Sequence, residues 1–190
     1  WQDCNSRTLQ EDGRRYTLVQ EVHLVGMLLC VYVQSKHVPH VSSVFSATVG
    51  VGVMGVMGNK GGVSVRMGYY DSTVCFICSH FAAHRENVVG RNQDFHSIVS
   101  KTSFDVGVNV VKEGLQSGSI SQWTGEGEGR IGVMDHDVVW WLGDLNYRID
   151  EGMTTEEVFE KAQRGEIENL RKHDQLNIER AASSVFQGFN

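Results

Sequence analysis

Apolar residues in the N-terminal third are too continuous and too β-branched for a surface helix. Residues 16–20 and 21–33 read as extended segments, the second carrying Leu24-Val25-Gly26-Met27-Leu28-Leu29-Cys30-Val31-Tyr32-Val33. Residues 37–44 suit a short helix or turn around Pro39, and 44–53 a further strand that runs into the glycine-rich stretch Gly55-Val56-Met57-Gly58-Asn59-Lys60-Gly61-Gly62. Residues 63–68 alternate apolar and polar, and 73–79 form a buried strand ending at His80. The period then changes. Between His84 and Thr102 the apolar positions Val88, Phe95, Ile98 and Val99 recur at helical spacing, with Arg85, Arg91 and Asn92 on other faces. Val138-Val139-Trp140-Trp141-Leu142 predicts a strand buried on both faces and ended by Gly143. Thr154-Thr155-Glu156-Glu157 is a capping box opening a helix with Val158, Phe159 and Ala162 inward, and a second helical stretch spans 166–173. The order of strands, helix, strand and helices predicts an α/β sandwich with helices on a β core.

Composition refines this picture in a few places. A length of 190 residues, 41% hydrophobic and 21% charged, fits one ordinary globular domain. There are 21 glycines against one proline, and many fall in two loops. Besides the stretch before Gly62, residues 107–132 are rich in Gly, Ser and Glu, which predicts a flexible surface insertion without chemistry. The net charge of -6 argues against broad nucleic-acid binding, which needs a basic surface. No stretch approaches the ~20 apolar residues of a membrane span, and no secretory signal is visible. Cys75 and Cys78 fall three apart on a strand and face opposite ways, so they read as plain buried thiols. That use of cysteine favours the cytosol.

Three buried strands stop in polar residues suited to phosphoryl chemistry. In Gly143-Asp144-Leu145-Asn146-Tyr147-Arg148, Asp144 and Asn146 are two apart and share one side of an extended chain. A carboxylate there can orient or deprotonate water, and a neutral amide can donate to phosphoryl oxygens. An Asx-type turn explains the same pair without chemistry. His80, at the end of its strand, is either a phosphate donor or general acid, or a structural histidine. Around Lys60, glycines let backbone N–H groups approach an anion, although the spacing is not that of a P-loop and a hairpin would use the same glycines. Val53, Met54, Val56 and Met57 just before it would form an apolar tip suited to a lipid surface.

Together these residues resemble the inositol polyphosphate 5-phosphatases, with the type II group the nearest in character. Trp141-Leu142-Gly143-Asp144-Leu145-Asn146-Tyr147-Arg148 is similar to that family's W-x-G-D-x-N-[FY]-R signature. Residues 57–63, 79–84 (S-H-F-A-A-H), 91–95 (R-N-Q-D-F), 174–176 and 185–189 match in the right order. The resemblance implies the four-layered α/β sandwich of the endonuclease/exonuclease/phosphatase superfamily, with Mg²⁺-assisted removal of a 5-phosphate from phosphoinositides or soluble inositol phosphates. It implies Asp144 as the residue acting on water, with Asn146 and His80 on the scissile phosphate. Asn59, Lys60 and His84 would lie near the substrate, and Arg91 and Asn92 would buttress or contact it. Val53, Met54, Val56 and Met57 would touch the membrane of a cytoplasmic, peripherally bound enzyme.

The family's N-terminal metal-site Asn, its Q-E motif with the metal-ligating Glu, and its C-terminal P-A-W-C-D-R and D-H motifs have no counterpart. Residues 1–190 are therefore expected to be the central part of one catalytic domain, incomplete at both ends. No metal ligand is expected within it, and the piece alone is expected to be inactive. A nuclease or sphingomyelinase of the same superfamily is the enzymatic alternative, and a non-catalytic scaffold the other. The joint presence of His80, Asp144 and Asn146 argues against the scaffold.

Overall fold

Gly26 divides the long N-terminal apolar run into two strands. The computed structural model describes residues 8–51, 59–106 and 129–189. In it β1 (Thr8–Glu11) lies antiparallel to β2 (Arg14–Leu24), which turns at Val25-Gly26 into β3 (Met27–Gln34). Gly26 holds φ at 79°, a left-handed value that glycine adopts without a Cβ penalty. Alternation along β3 buries Met27, Leu29, Val31 and Val33 on one face. The turn expected around Pro39 is a 3₁₀ helix, Ser35–His40, after which β4 (Val41–Gly50) starts earlier than the pattern suggested.

β5 (Gly61–Tyr69), β6 (Ser72–His80) and β9 (Val138–Asp144) complete a four-stranded sheet in the order β4-β5-β6-β9. Its last pair is parallel, so the chain must cross over, and α1 (Val88–Lys101) is part of that crossover. β7 (Ser103–Asp105) and β8 (Arg130–Gly132) pair within the same crossover. Residues 130–132, expected within the surface insertion, thus belong to a ladder, and 107–128 lie outside the described residues.

Two cores sandwich the four-stranded sheet. On one face Val63, Val65 and Met67 meet Val22, Met27, Leu29, Val31 and Val33 of the three-stranded sheet. On the other, Cys75 and Ile77 pack with Phe95 and Ile98 of α1 and with Phe81, Phe104, Val185 and Phe186. The described residues therefore build three layers, β, β and α, of a mixed α/β fold. Being covered on both faces, β5 is buried from Gly61 to Gly68, where the sequence suggested one wet face. Cys75 and Cys78 belong to opposite cores, as their spacing required. Burial pushes the Cys75 thiol up to about 12 and raises Cys78 as well, which leaves both unreactive.

β9 departs from expectation. Val139 and Trp141 pack against the helix-side core, but Val138 (39%), Trp140 (60%) and Leu142 (46%) are exposed. The three-stranded sheet rests on β4, β5 and β6 and leaves this face of β9 uncovered among the described residues. The strand also continues through Gly143 to Asp144. Thr154 and Glu157 form the predicted capping box of α2 (Thr155–Gln163), with reciprocal bonds of 3.2 and 2.7 Å. Phe159, expected inward, is exposed, because α2 packs chiefly on the short α3 (Ile167–Arg171) and buries no residue. α4 (Gln175–Ala181), N-capped by Asp174, was not foreseen as a helix.

A buried cation on β5 fixes the protonation of one histidine. Arg66 Nε donates to His136 Nε2 at 3.2 Å, and His136 Nδ1 lies 3.0 Å from the Val133 carbonyl oxygen. With Nε2 accepting, Nδ1 carries the proton and the ring is neutral. Burial foremost, with the Arg66 charge acting in the same direction, lowers the His136 pKa. As pH falls through about 6.5, the unfolded chain takes up this proton while the folded chain does not. The fold therefore loses stability below that pH until the folded-state value is passed. Melting temperatures between about pH 7 and about pH 5 should fall more steeply for the wild type than for His136→Gln. Parallel curves would contradict this assignment.

Candidate functional site

Sheet register brings three strand ends together. Gly61 pairs with His80, and His80 with Asp144, so Lys60, His80 and Asp144 meet at one edge of the sheet. Glycine is required on both sides of this junction. Gly61 (φ 153°) and Gly143 (φ 125°) have left-hand-side φ values, and a Cβ would strike the Val49 carbonyl oxygen in one case and the Ser79 backbone in the other.

Lys60 Nζ lies 2.5 Å from His80 Nε2. An ammonium only donates, so Nε2 accepts and the His80 ring is neutral, with its proton on Nδ1. Asp144 Oδ2 lies 3.6 Å from the same nitrogen, and its side chain is 65% exposed. Asp144 Oδ1 accepts from the Asn146 backbone N–H at 3.1 Å, which is the Asx turn weighed as the alternative. One carboxylate oxygen thus holds the turn while the other lies toward His80. His80 and Asp144 line a cavity of about 530 Å³ together with Gly26, Met27, Leu28, Cys78 and Ser79.

Asn146 does not share Asp144's surroundings, as an extended chain would require. It sits at φ 56° and is buried. Its Nδ2 donates to the Phe81 carbonyl at 3.0 Å, and its Oδ1 accepts from the Arg148 guanidinium at 2.8 Å. The left-handed residue breaks the two-residue alternation on which the expectation rested. Its amide acts as a clip between the segment after β6 and the segment after β9. Phe81 N–H also donates to the Asp144 carbonyl at 3.0 Å, closing the same junction from the backbone.

Arg91 is fully buried, with its guanidinium engaged by the protein itself. It donates to the carbonyls of Ala82 (3.4 Å), His84 (2.6 Å) and Arg85 (3.2 Å) and to Gln175 Oε1 (2.6 Å). Asn92 is likewise engaged, accepting from the Tyr147 hydroxyl at 2.6 Å and donating to Glu179 at 2.7 Å. His84 is exposed at φ 73°, and no described hydrogen bond or ion pair joins its ring to Lys60, His80 or Asp144. Asn59 is exposed beside Lys60. Val53, Met54, Val56 and Met57 lie outside the described residues.

Asp94 was missed, although it stands within the quoted R-N-Q-D-F match. It is buried on α1, and its Oδ2 accepts from the Ala82 N–H at 2.7 Å. Burial raises its pKa, while the Ala82 N–H and the charge of Lys60 work the other way. For a metal, the described residues fall short. They contain no group of three His, Cys, Asp or Glu side chains able to hold an ion. Asp144 alone offers an open carboxylate, where a hard divalent cation takes six or more oxygen ligands.

The sequence profile of the endonuclease/exonuclease/phosphatase family 2 matches residues 1–190. The chain is 38% identical to the type II inositol 1,4,5-trisphosphate 5-phosphatase of Mus musculus, covering all of this chain and 17% of the relative. It is 36% identical to synaptojanin-1 of Homo sapiens, covering 96% of this chain and 10% of that one. Among solved structures, the inositol polyphosphate 5-phosphatase domain of SPsynaptojanin, in complex with inositol (1,4)-bisphosphate and a calcium ion, superposes with a TM-score of 0.74. The two are 30% identical, over 98% of this chain and 45% of that chain. A Cimex nitrophorin is similar in fold alone, with a TM-score of 0.56 and 18% identity over 87% of this chain and 48% of that one. The chain thus spans under half of the solved domain and a smaller share of the curated relatives.

Proposed function

The chain belongs to the endonuclease/exonuclease/phosphatase family 2, and on that premise we propose that it is the central part of a catalytic domain that hydrolyses the 5-phosphate of inositol polyphosphates and phosphoinositides. The observation that carries this function is the meeting of Lys60, His80 and Asp144 at one end of the sheet, with His80 and Asp144 on the wall of one cavity. Relatives at 36–38% identity whose names specify inositol phosphatases or synaptojanins support it. So does the solved domain that holds an inositol bisphosphate.

In this proposal Oδ2 of Asp144 orients and deprotonates the attacking water. Lys60 supplies positive charge near the phosphoryl oxygens, and Asn59 lies beside it. His80, neutral and with Nδ1 protonated, donates from Nδ1 to the scissile phosphate while its Nε2 accepts from Lys60. Asn146 holds the loop that presents Asp144, and Arg91 and Asn92 hold the frame behind it. A divalent ion, Mg²⁺ by the resemblance, would neutralise phosphoryl charge. The described residues do not form its cage, and no step is assigned to it.

We further propose a cytoplasmic enzyme that meets phosphoinositides at a membrane surface through Val53, Met54, Val56 and Met57. No described helix is long and apolar enough to cross a membrane. The test is phosphate release by the full-length protein with Mg²⁺ present. The 5-phosphate should leave both a soluble inositol polyphosphate and a vesicle-borne phosphoinositide, and abasic DNA should stay intact. Cleavage of DNA without phosphate release would replace this function with a nuclease.

A further inference from the structure

Asp94 is a buried carboxylate that the proposed chemistry does not use. It lies on α1, forms no described salt bridge, and aims Oδ2 at the Ala82 N–H at 2.7 Å. Ala82 follows His80 by two residues. The short segment between them is pinned from three sides: Phe81 N–H on the Asp144 carbonyl, Asn146 Nδ2 on the Phe81 carbonyl, and Asp94 on Ala82. Lys60 is close enough to Asp94 to interact with its charge. Lys60 is meanwhile a cation resting on a neutral acceptor, His80 Nε2. Negative charge nearby strengthens the hold on such an ammonium.

We propose that Asp94 is a positioning residue for the reaction: its carboxylate locks the His80-Phe81-Ala82 segment and holds the Lys60 ammonium against the His80 ring. The inference rests on the phosphatase function proposed above. The charged and titratable groups around this point are Lys60 ahead of β5, His80 at the end of β6, Asp144 at the end of β9, and Tyr147 beyond it. Arg91 is on Asp94's own helix. Asp144 Oδ2 also lies 3.6 Å from His80 Nε2 but on an exposed side chain, so Asp94 is the buried one of the two carboxylates near this contact.

Ionising Asp94 does not itself add to the stability of the fold. Burial raises its pKa, so the folded state binds the proton more tightly than the unfolded chain. Keeping Asp94 ionised above that raised value therefore opposes folding. An asparagine would remove this cost and still present an oxygen to Ala82.

The test uses the full-length protein with ¹⁵N-labelled histidine, comparing wild type, Asp94→Asn and Asp94→Glu. In the wild type the His80 ring should appear as the Nδ1–H tautomer with Nε2 accepting a hydrogen bond. Asp94→Asn should lose the Nε2 signature while melting at or above the wild-type temperature. Asp94→Glu, which keeps the charge, should retain the signature. An unchanged His80 ring in folded Asp94→Asn overturns the inference. Should Asp94→Asn not fold, a lost signature in folded Asp94→Glu overturns it instead. In the full-length protein, Asp94→Asn should lower kcat for 5-phosphate release by on the order of 100-fold with KM little moved, the cost of a mispositioned group. A wild type that releases no 5-phosphate would refute the proposed function, and the ring comparison would still decide the role of Asp94.

Discussion

Asp144→Ala in the full-length protein is expected to lower kcat for 5-phosphate release by about 10²–10⁴-fold, the range of a lost general base, with the fold left standing. Two features of Asp144 separate the chemical loss from a structural one. Its side chain is 65% exposed, so its removal opens no cavity. Its one bond to the protein within the turn, from the Asn146 N–H, is worth about 1 kcal/mol, and the Asn146 side chain still clips the loop to Phe81. At this chain length that loss lowers the melting temperature by roughly 2–4 °C. Asp144→Asn keeps an acceptor for the turn and removes only the base, so it should be as inactive as Asp144→Ala and melt closer to the wild type. Steady-state kinetics beside thermal melts check both halves. Activity within about tenfold of wild type in either variant would remove Asp144 from the reaction.

Arg91→Ala should show the opposite balance, with a cost of about 3–5 kcal/mol in stability. Arg91 is fully buried and forms no described salt bridge. Its charge is held by three backbone carbonyls and Gln175 Oε1, and its guanidinium carbon stacks 5.2 Å from the Tyr147 ring centroid. Removing it strips these four acceptors of a charged donor and leaves a large void. The His84 and Arg85 carbonyls and Gln175 Oε1 keep one neutral donor each, while the Ala82 carbonyl keeps none among the described bonds. It also frees Gln175, which accepts from the Arg148 N–H at 2.9 Å and donates to the Arg85 carbonyl at 2.8 Å. One substitution thereby loosens α1, α4 and the segment after β9 together. Arg91→Lys should rescue little, because a single ammonium cannot fork across carbonyls that diverge. The midpoint of denaturant unfolding measures this, and a change below about 1 kcal/mol would mean that the network closes without the guanidinium.

How much of this was legible in the sequence depended on whether the governing forces were local. The capping box at Thr154 and Glu157 is a contact between residues three apart, and it formed as read. The opposite facing of Cys75 and Cys78 follows from the strand repeat alone, and it held too. The β9 run failed because continuity of apolar residues does not say which layers cover a strand. Trp140 and Trp141 look alike in sequence, yet one is exposed and the other lies in the core. Phe159 failed for the same reason.

At the site, Lys60, His80 and Asp144 were each named, but their meeting depends on the register of three strands drawn from distant segments. The pairing of Asp144 with Asn146 was misjudged through backbone conformation: an asparagine at positive φ turns its side chain into the protein. Arg91 was placed off the apolar face of its helix, and its burial went unforeseen because one of its partners, Gln175, lies 84 residues away. Asp94 carried a signal, since it completes the R-N-Q-D-F match, yet only the tertiary contact with Ala82 gives it a role.

The central claim is that this site removes one defined phosphate with Asp144 as its base. The most direct measurement follows inositol 1,4,5-trisphosphate by ³¹P NMR with the full-length protein and its Asp144→Ala variant side by side, Mg²⁺ present in both. The wild type should convert the 5-phosphate resonance into inorganic phosphate and leave the 1- and 4-phosphates in place, and the variant should leave all three phosphates in place within the same time. Loss of a phosphate from another position, or equal release by Asp144→Ala, would contradict that claim.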